Sequence, residues 1–132
     1  MGKAEAPRPS VLIIDDDDDM RTLLRMRLEL DGRFAVVGDA ANGAHGVGMA
    51  KVHRPDAVVL DVLMPVIDAR ATLSLLRLVV PNAVVVTCSA LGAEHPRVKA
   101  LRGTAAHVCK TDHGTLPDVL YEAWEVRSRI AV

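Results

Sequence analysis

Five short apolar runs, each separated from the next by a stretch of helical spacing, limit how this chain can fold more than any other feature. The first, residues 11–14, is branched and apolar throughout, as a strand buried on both faces of a parallel sheet must be. Residues 19–30 then carry Met20, Leu23, Leu24, Met26, Leu28 and Leu30 among Arg and Glu, and Asp31-Gly32 supplies a stop, so a helix is expected there. The same reading gives strands at 34–37, 57–60, 83–88 and 105–109 and helices at 42–53, 71–80 and 116–130, with a shorter helix around 97–101. Parallel strands need crossover connections, and those crossovers are right-handed. The alternation therefore predicts an α/β fold, a doubly wound five-stranded parallel sheet with five helices, whose ligand crevice lies at the carboxyl ends of the strands.

Length and charge narrow the function. With 132 residues, half of them hydrophobic, the chain suits a single core, read as one domain over residues 11–132 behind a flexible extension at 1–10. Sixteen basic and 17 acidic residues leave a net charge of −1, so no basic field draws nucleic acid or an anionic membrane to this chain. No apolar stretch approaches the ~18 residues of a membrane span, and residues 1–10 are charged and proline-bearing rather than secretory, so a cytoplasmic location is expected. Cys88 and Cys109 sit in apolar runs without ligand spacing and read as buried free thiols. His45, His53, His95 and His113 show no ligand spacing either and read as surface residues.

Chemistry gathers at the strand ends. Asp15 and Asp16 follow the first strand, Asp61 the third, Ser89 the fourth and Lys110 the fifth. Carboxylates brought together there repel, by about 1–4 kcal/mol per pair at about 4 Å for effective dielectrics of 80 to 20, so a cation is needed to offset them. Oxygen ligands without His or Cys point to a hard divalent ion, and one or two carboxylates with waters and a phosphate oxygen is the usual Mg²⁺ arrangement, with Mn²⁺ able to substitute. An Asp carboxylate can attack phosphorus to form an acyl phosphate while a metal and an ammonium neutralise the transferring group. Asp61 suits the nucleophile and Lys110 the ammonium. The remaining acids of the run, Asp17, Asp18 and Asp19, read as a solvated loop whose last members cap the following helix.

These residues resemble the receiver domains of two-component response regulators over almost the whole chain. The pieces are V-L-I-I-D-D at the first strand, P-D-A-V-V-L-D-V-L-M-P at the third, C-S-A at the fourth and G-T-A-A-H-V-C-K at the fifth. Each is weak alone; four in order at the family's spacing are specific. The resemblance implies a flavodoxin-like receiver fold with strand order 2-1-3-4-5. It implies a phosphoacceptor at Asp61, Mg²⁺ held by Asp16 and Asp61 with Asp15 partly through water, and the Leu63 backbone carbonyl as a third protein ligand. Met64-Pro65 matches the turn after the phosphoacceptor, and Lys110 is expected to pair with a phosphoryl oxygen.

Thr87 and Ser89 both lie near the fourth strand end and share strand parity, so alternation does not separate them. The stretch P-N-A-V-V-V-T-C-S-A is similar without a gap to the family's P-D-A-x-I-V-V-L-S-A, which selects Ser89, 28 residues after Asp61, as the hydroxyl that closes on the phosphoryl group. In the family that hydroxyl couples to an aromatic residue three positions before the lysine. Here the position is His107, read either as a switch that swaps inward and titrates near neutral pH or as an exposed strand histidine. The implied donor is a sensor histidine kinase or phosphotransfer protein, with a homodimer on phosphorylation as a further expectation. The chain is expected to assist its own phosphorylation and slow dephosphorylation, not to turn over as an enzyme. F-A-V-V-G-D-A-A-N-G is more like receivers that precede helix-turn-helix outputs.

Three departures from the family stand out. Ala69 replaces a usual Gly, a source of strain if that turn needs positive φ. Thr111 replaces a usual Pro or Asp after the lysine; without proline a cis bond costs about 2.5–4 kcal/mol, so trans is expected. The segment 89–103 is one residue short and interrupted by Pro96, so the fourth helix should be short or irregular. Two rival functions follow. A haloacid-dehalogenase-type phosphohydrolase would place its nucleophile at the first strand, where Asp15-x-Asp17 occurs, but position 19 is Asp and the chain is short for a capping domain. A receiver-fold interaction module that works without phosphorylation is the other.

Overall fold

The computed structural model describes residues 7–64 and 67–130. Ten elements alternate along the chain: β1 (Ser10–Ile14), α1 (Asp18–Asp31), β2 (Ala35–Ala40), α2 (Gly43–His53), β3 (Ala57–Leu60), α3 (Ala69–Val79), β4 (Val84–Ser89), α4 (Pro96–Lys99), β5 (Ala106–Cys109) and α5 (Leu116–Ile130), with a 3₁₀ helix (Lys110–Thr115) before the last. The five strands form one parallel sheet in the order β2-β1-β3-β4-β5. This is the doubly wound arrangement that the alternation predicts.

Strand periodicity divides the core in two. Val11 and Ile13 of β1 and Ala57 and Val59 of β3 point to the side covered by α1 and α5, where Leu24, Leu28, Leu116 and Leu120 meet them. Their neighbours Leu12, Ile14, Val58 and Leu60 point to the other side, against Ala50, Leu73 and Leu76 of α2 and α3. Both faces are therefore apolar, which is why these strands read as unbroken hydrophobic runs. Burying each of these branched side chains contributes about 1.5–3 kcal/mol. Small residues set the depth of α2: Gly43, Gly46 and Ala50 are buried on one stripe and bring its backbone close to the sheet and α3.

Several boundaries differ from the sequence reading, each for a local reason. β2 runs on through Gly38, Asp39 and Ala40, residues poor in strand propensity, because the ladder with Leu12, Ile13 and Ile14 overrides it. Part of the N-terminal extension is engaged: the Pro9 carbonyl accepts from Ala35 N–H, and Ser10 opens β1 with its N–H and hydroxyl on Asp56. α4 is a single turn begun by Pro96, with the His95 ring as its cap. Ala69 starts α3 behind the Asp68 cap, and positive φ occurs among the described residues only at Gly32, Arg54 and Gly103, so Ala69 needs none. The Lys110–Thr111 peptide is trans. Met64 is described; Pro65 lies outside the described residues.

Two side-chain expectations are corrected. Cys88 is buried but Cys109 is only half-buried, because β5 is an edge strand; both are free thiols. His113 is half-buried with its Nδ1 enclosed, and His95 is half-buried, so neither lies open on the surface as His45 and His53 do. No helix among the described residues is long and apolar enough to cross a membrane.

Candidate functional site

The carboxyl ends of β1, β3 and β5 bring Asp15, Asp16, Asp61 and Lys110 into one pocket. Ligand oxygens of Asp15, Asp16 and Asp61 all lie within 4.8 Å of one another, the geometry of a set that can hold a metal ion. The sheet register explains the meeting: Ile14 pairs with Leu60, so the residues that follow each strand emerge side by side. Asp61 N–H donates to the Ile14 carbonyl at 2.9 Å and Asp15 N–H to the Ala40 carbonyl at 3.0 Å, which carries the ladder one step past each strand.

Asp15 and Asp61 are almost wholly buried, at 1% and 3% exposure, whereas Asp16 is exposed. Asp61 Oδ1 accepts from Leu63 N–H at 3.1 Å and Oδ2 from Lys110 Nζ at 3.2 Å. Asp15 Oδ1 accepts from Asp17 N–H at 2.9 Å. Its Oδ2 is buried without a hydrogen bond, answered only by the charge of Lys110 Nζ 2.9 Å away. One ammonium thus faces two buried carboxylates with a third beside them, and the surplus negative charge is what a divalent cation would neutralise. All the donors are oxygens, which fits a hard ion.

Burial, followed by the charge of Asp15, pushes the Asp61 carboxyl up to about 6, against the opposing pull of Leu63 N–H and Lys110. Burial pulls the Lys110 ammonium down, but the two carboxylates outweigh it and hold the group above its ordinary value. Burial also pushes the Cys88 thiol up to about 12, which leaves it inert, while the hydroxyl and N–H of Thr111 hold the Cys109 thiol below its ordinary value.

Ser89 ends β4 fully buried, its Oγ accepting from Leu91 N–H at 3.2 Å. The hydroxyl that touches His107 is not Ser89's but that of Thr87, at 2.7 Å from Nδ1, because the β4–β5 register pairs Thr87 with His107 and Ser89 with Cys109. His107 Nε2 donates to the Leu91 carbonyl at 2.7 Å, so the half-buried ring has both nitrogens engaged, and the Leu91 main chain, whose N–H bonds Ser89 Oγ, links it to Ser89. The open alternative of an exposed strand histidine does not describe this ring.

One supporting group escaped the sequence reading. Arg21 on α1 donates from Nη1 to the Asp15 carbonyl at 2.7 Å, contacts Asp39 at 3.3 Å and pairs with Asp18. In sequence it is one of several Arg residues on the polar side of an amphipathic helix, and its six-residue reach back to Asp15 leaves no motif. Asp17 caps α1, accepting from Asp19 N–H and Met20 N–H, while Asp18 and Asp19 lie in its first turn, so the helix opens one residue earlier than the sequence reading has it.

Comparison with known proteins places this architecture. A family model described as the response regulator receiver domain matches residues 11–113. The chain is 35% identical over 95 residues to the chemotaxis protein CheY of Halobacterium salinarum, covering 72% of this chain and 78% of that protein. It is 38% identical over 116 residues to a protein-glutamate methylesterase/protein-glutamine glutaminase of Methanosarcina mazei, covering 86% of this chain but only 31% of that protein's length. Among solved structures, the response regulator domain of Thermotoga maritima CheB superposes with a TM-score of 0.78 at 26% identity, covering 92% of this chain and 98% of that one. The chain belongs to the receiver domain family of two-component response regulators, which sets aside the phosphohydrolase reading.

Proposed function

We propose that this receiver accepts a phosphoryl group on Asp61 from the phosphohistidine of a sensor histidine kinase or phosphotransfer protein, and so changes the surface it offers to a second copy or to an output. The observation that supports it best is the placement of Asp61: buried, bonded to Lys110, and within 4.8 Å of Asp15 and Asp16 through ligand oxygens. In the transfer, the P–N bond of the donor breaks as a P–O bond forms to the Asp61 carboxylate. Mg²⁺, or Mn²⁺ in its place, would be held by Asp16, Asp61 and the Leu63 carbonyl with Asp15 through water, and supplies neutralisation of the carboxylates and phosphoryl oxygens. Lys110 exchanges its bond to Asp61 Oδ2 for one to a phosphoryl oxygen. Ser89 Oγ accepts from Leu91 N–H and has its own proton to offer that group. Because Leu91 also holds His107 by its carbonyl, a shift of Ser89 moves the His107 ring and the Thr87 hydroxyl bonded to it. On this reading the chain is a switch that resets by slow hydrolysis and not a turnover enzyme.

The test is intact-mass analysis after incubation with acetyl phosphate, with and without Mg²⁺, on the parent chain and Asp61→Asn. A single base-labile phosphoryl adduct that requires Mg²⁺ and disappears in Asp61→Asn is expected. An unmodified parent chain would transfer the reading to a receiver-fold interaction module that works without phosphorylation.

A further inference from the structure

The acidic pair has an uneven support. Asp15 is held at every polar atom: its N–H by the Ala40 carbonyl, Oδ1 by Asp17 N–H, Oδ2 by the Lys110 charge, and its carbonyl by Arg21 Nη1 at 2.7 Å. Asp16 is the opposite case. It is exposed, and among the described residues its carboxylate makes no hydrogen bond or ion pair. Its direction therefore comes from the main chain alone, and the last fixed point before it is the Asp15 carbonyl, which shares a rigid peptide plane with Asp16 N–H.

Arg21 reaches that carbonyl from the following helix. Side chains on a helix lean toward its N-terminus, so from α1 the guanidinium reaches back over the loop. Its three donor nitrogens go to three partners: Nη1 to the Asp15 carbonyl, Nε to Asp39 Oδ1 at 3.3 Å and Nη2 to Asp18. Asp39 is itself held by Arg25, at 3.1 Å and 3.3 Å. The group is only 14% exposed, and two carboxylates match its charge. It thus delivers a directional N–H to the metal loop without placing an uncompensated cation beside it, a task for a planar fork and not for an ammonium.

We infer that Arg21 is a positioning residue for divalent-cation binding, which aims the Asp16 carboxylate at the pocket by clamping the Asp15–Asp16 peptide. The inference rests on the Mg²⁺ reading above. Outer partners of metal ligands typically carry a roughly 10–100-fold share of affinity. Coulomb's law alone predicts the reverse sign, since deleting a cation near the pocket should tighten Mg²⁺ binding. The sign of the change therefore separates positioning from bulk charge.

The experiment is isothermal titration of Mg²⁺ into the full chain at fixed ionic strength, for the parent, Arg21→Met, Arg21→Lys and Arg25→Met, each checked for folding by circular dichroism. Arg21→Met is expected to weaken Mg²⁺ binding on the order of tenfold. Arg21→Lys, which keeps the charge and loses the fork, is expected to weaken it in the same direction and decides the matter alone if Arg21→Met does not fold. Arg25→Met removes a guanidinium that bonds the other oxygen of Asp39 and makes no bond to the Asp15 carbonyl, so it should weaken Mg²⁺ binding less than either Arg21 variant does. Unchanged or tighter binding in the Arg21 variants, or equal weakening in Arg25→Met, overturns the inference and leaves the receiver reading standing. A parent chain that binds no Mg²⁺ overturns the metal reading, and the inference with it.

Discussion

At the scale of single residues, the pocket is a set of charges that the fold holds at some cost to itself. Asp61 is the clearest case: burial and the Asp15 carboxylate raise its folded value from the ordinary 3.8 to about 6. A carboxyl so raised contributes stability that is fully present below its unfolded value and is lost as pH rises through the folded one. In metal-free buffer at pH 7.5, Asp61→Asn is therefore expected to be more stable than the parent, by about 1–4 kcal/mol on the scale of a like-charge pair at effective dielectrics of 80 to 20. Urea unfolding at pH 7.5 and again near pH 4 checks this; the difference should shrink toward the lower pH. Asp15, Asp61 and Lys110 were legible in the sequence because each abuts a buried apolar run, where a charge needs a reason. The bond of Thr87 to His107 and that of Arg21 to the Asp15 carbonyl were not, since the first follows from the register of two strands and the second belongs to a residue that looks like any solvent-facing helix residue.

At the scale of elements, the sheet ladder and the packing of α2 decide where the pocket forms. Gly46 lies against β1, and a Cβ there would stand 2.4 Å from Ile14 Cδ1 and 2.8 Å from Cγ1. Ile14 is fully buried and directly precedes Asp15, so it has little room to yield. Gly48 on the same helix faces open space, where an added methyl would meet nothing within 4 Å. Gly46→Ala is expected to destabilise by about 1–3 kcal/mol through overpacking, whereas Gly48→Ala should stabilise by about 0.5–1 kcal/mol through helix propensity. Thermal or urea unfolding of the two variants reads both signs. The helices and strands themselves were legible because periodicity survives averaging over several residues. The exceptions were the last three residues of β2 and the 3₁₀ helix after Lys110, where local propensity says turn and tertiary pairing or a tight connection says otherwise.

At the scale of the whole molecule, carboxylates from two strand ends and an ammonium from a third make cation binding a property of the folded state. A ligand that binds only the folded chain stabilises it by about 2.7 kcal/mol at a hundredfold excess over its dissociation constant. Raising Mg²⁺ to that excess should therefore raise the melting temperature of the parent chain, and Asp16→Asn should lose most of the gain; a melting temperature indifferent to Mg²⁺ in the parent would count against the metal site. What the sequence alone determined is the alternation of strands and helices, the α/β class, the acidic residues and lysine at strand ends, and the family resemblance, because each is written in short-range pattern or in ordered motifs. What only the tertiary structure decided is which atoms meet: that Thr87 and not Ser89 holds His107, that Arg21 clamps the Asp15 carbonyl, and that the Asp16 carboxylate stands without a partner among the described residues. Those outcomes depend on strand register and on side chains reaching between elements far apart in the chain, and a one-dimensional pattern carries neither.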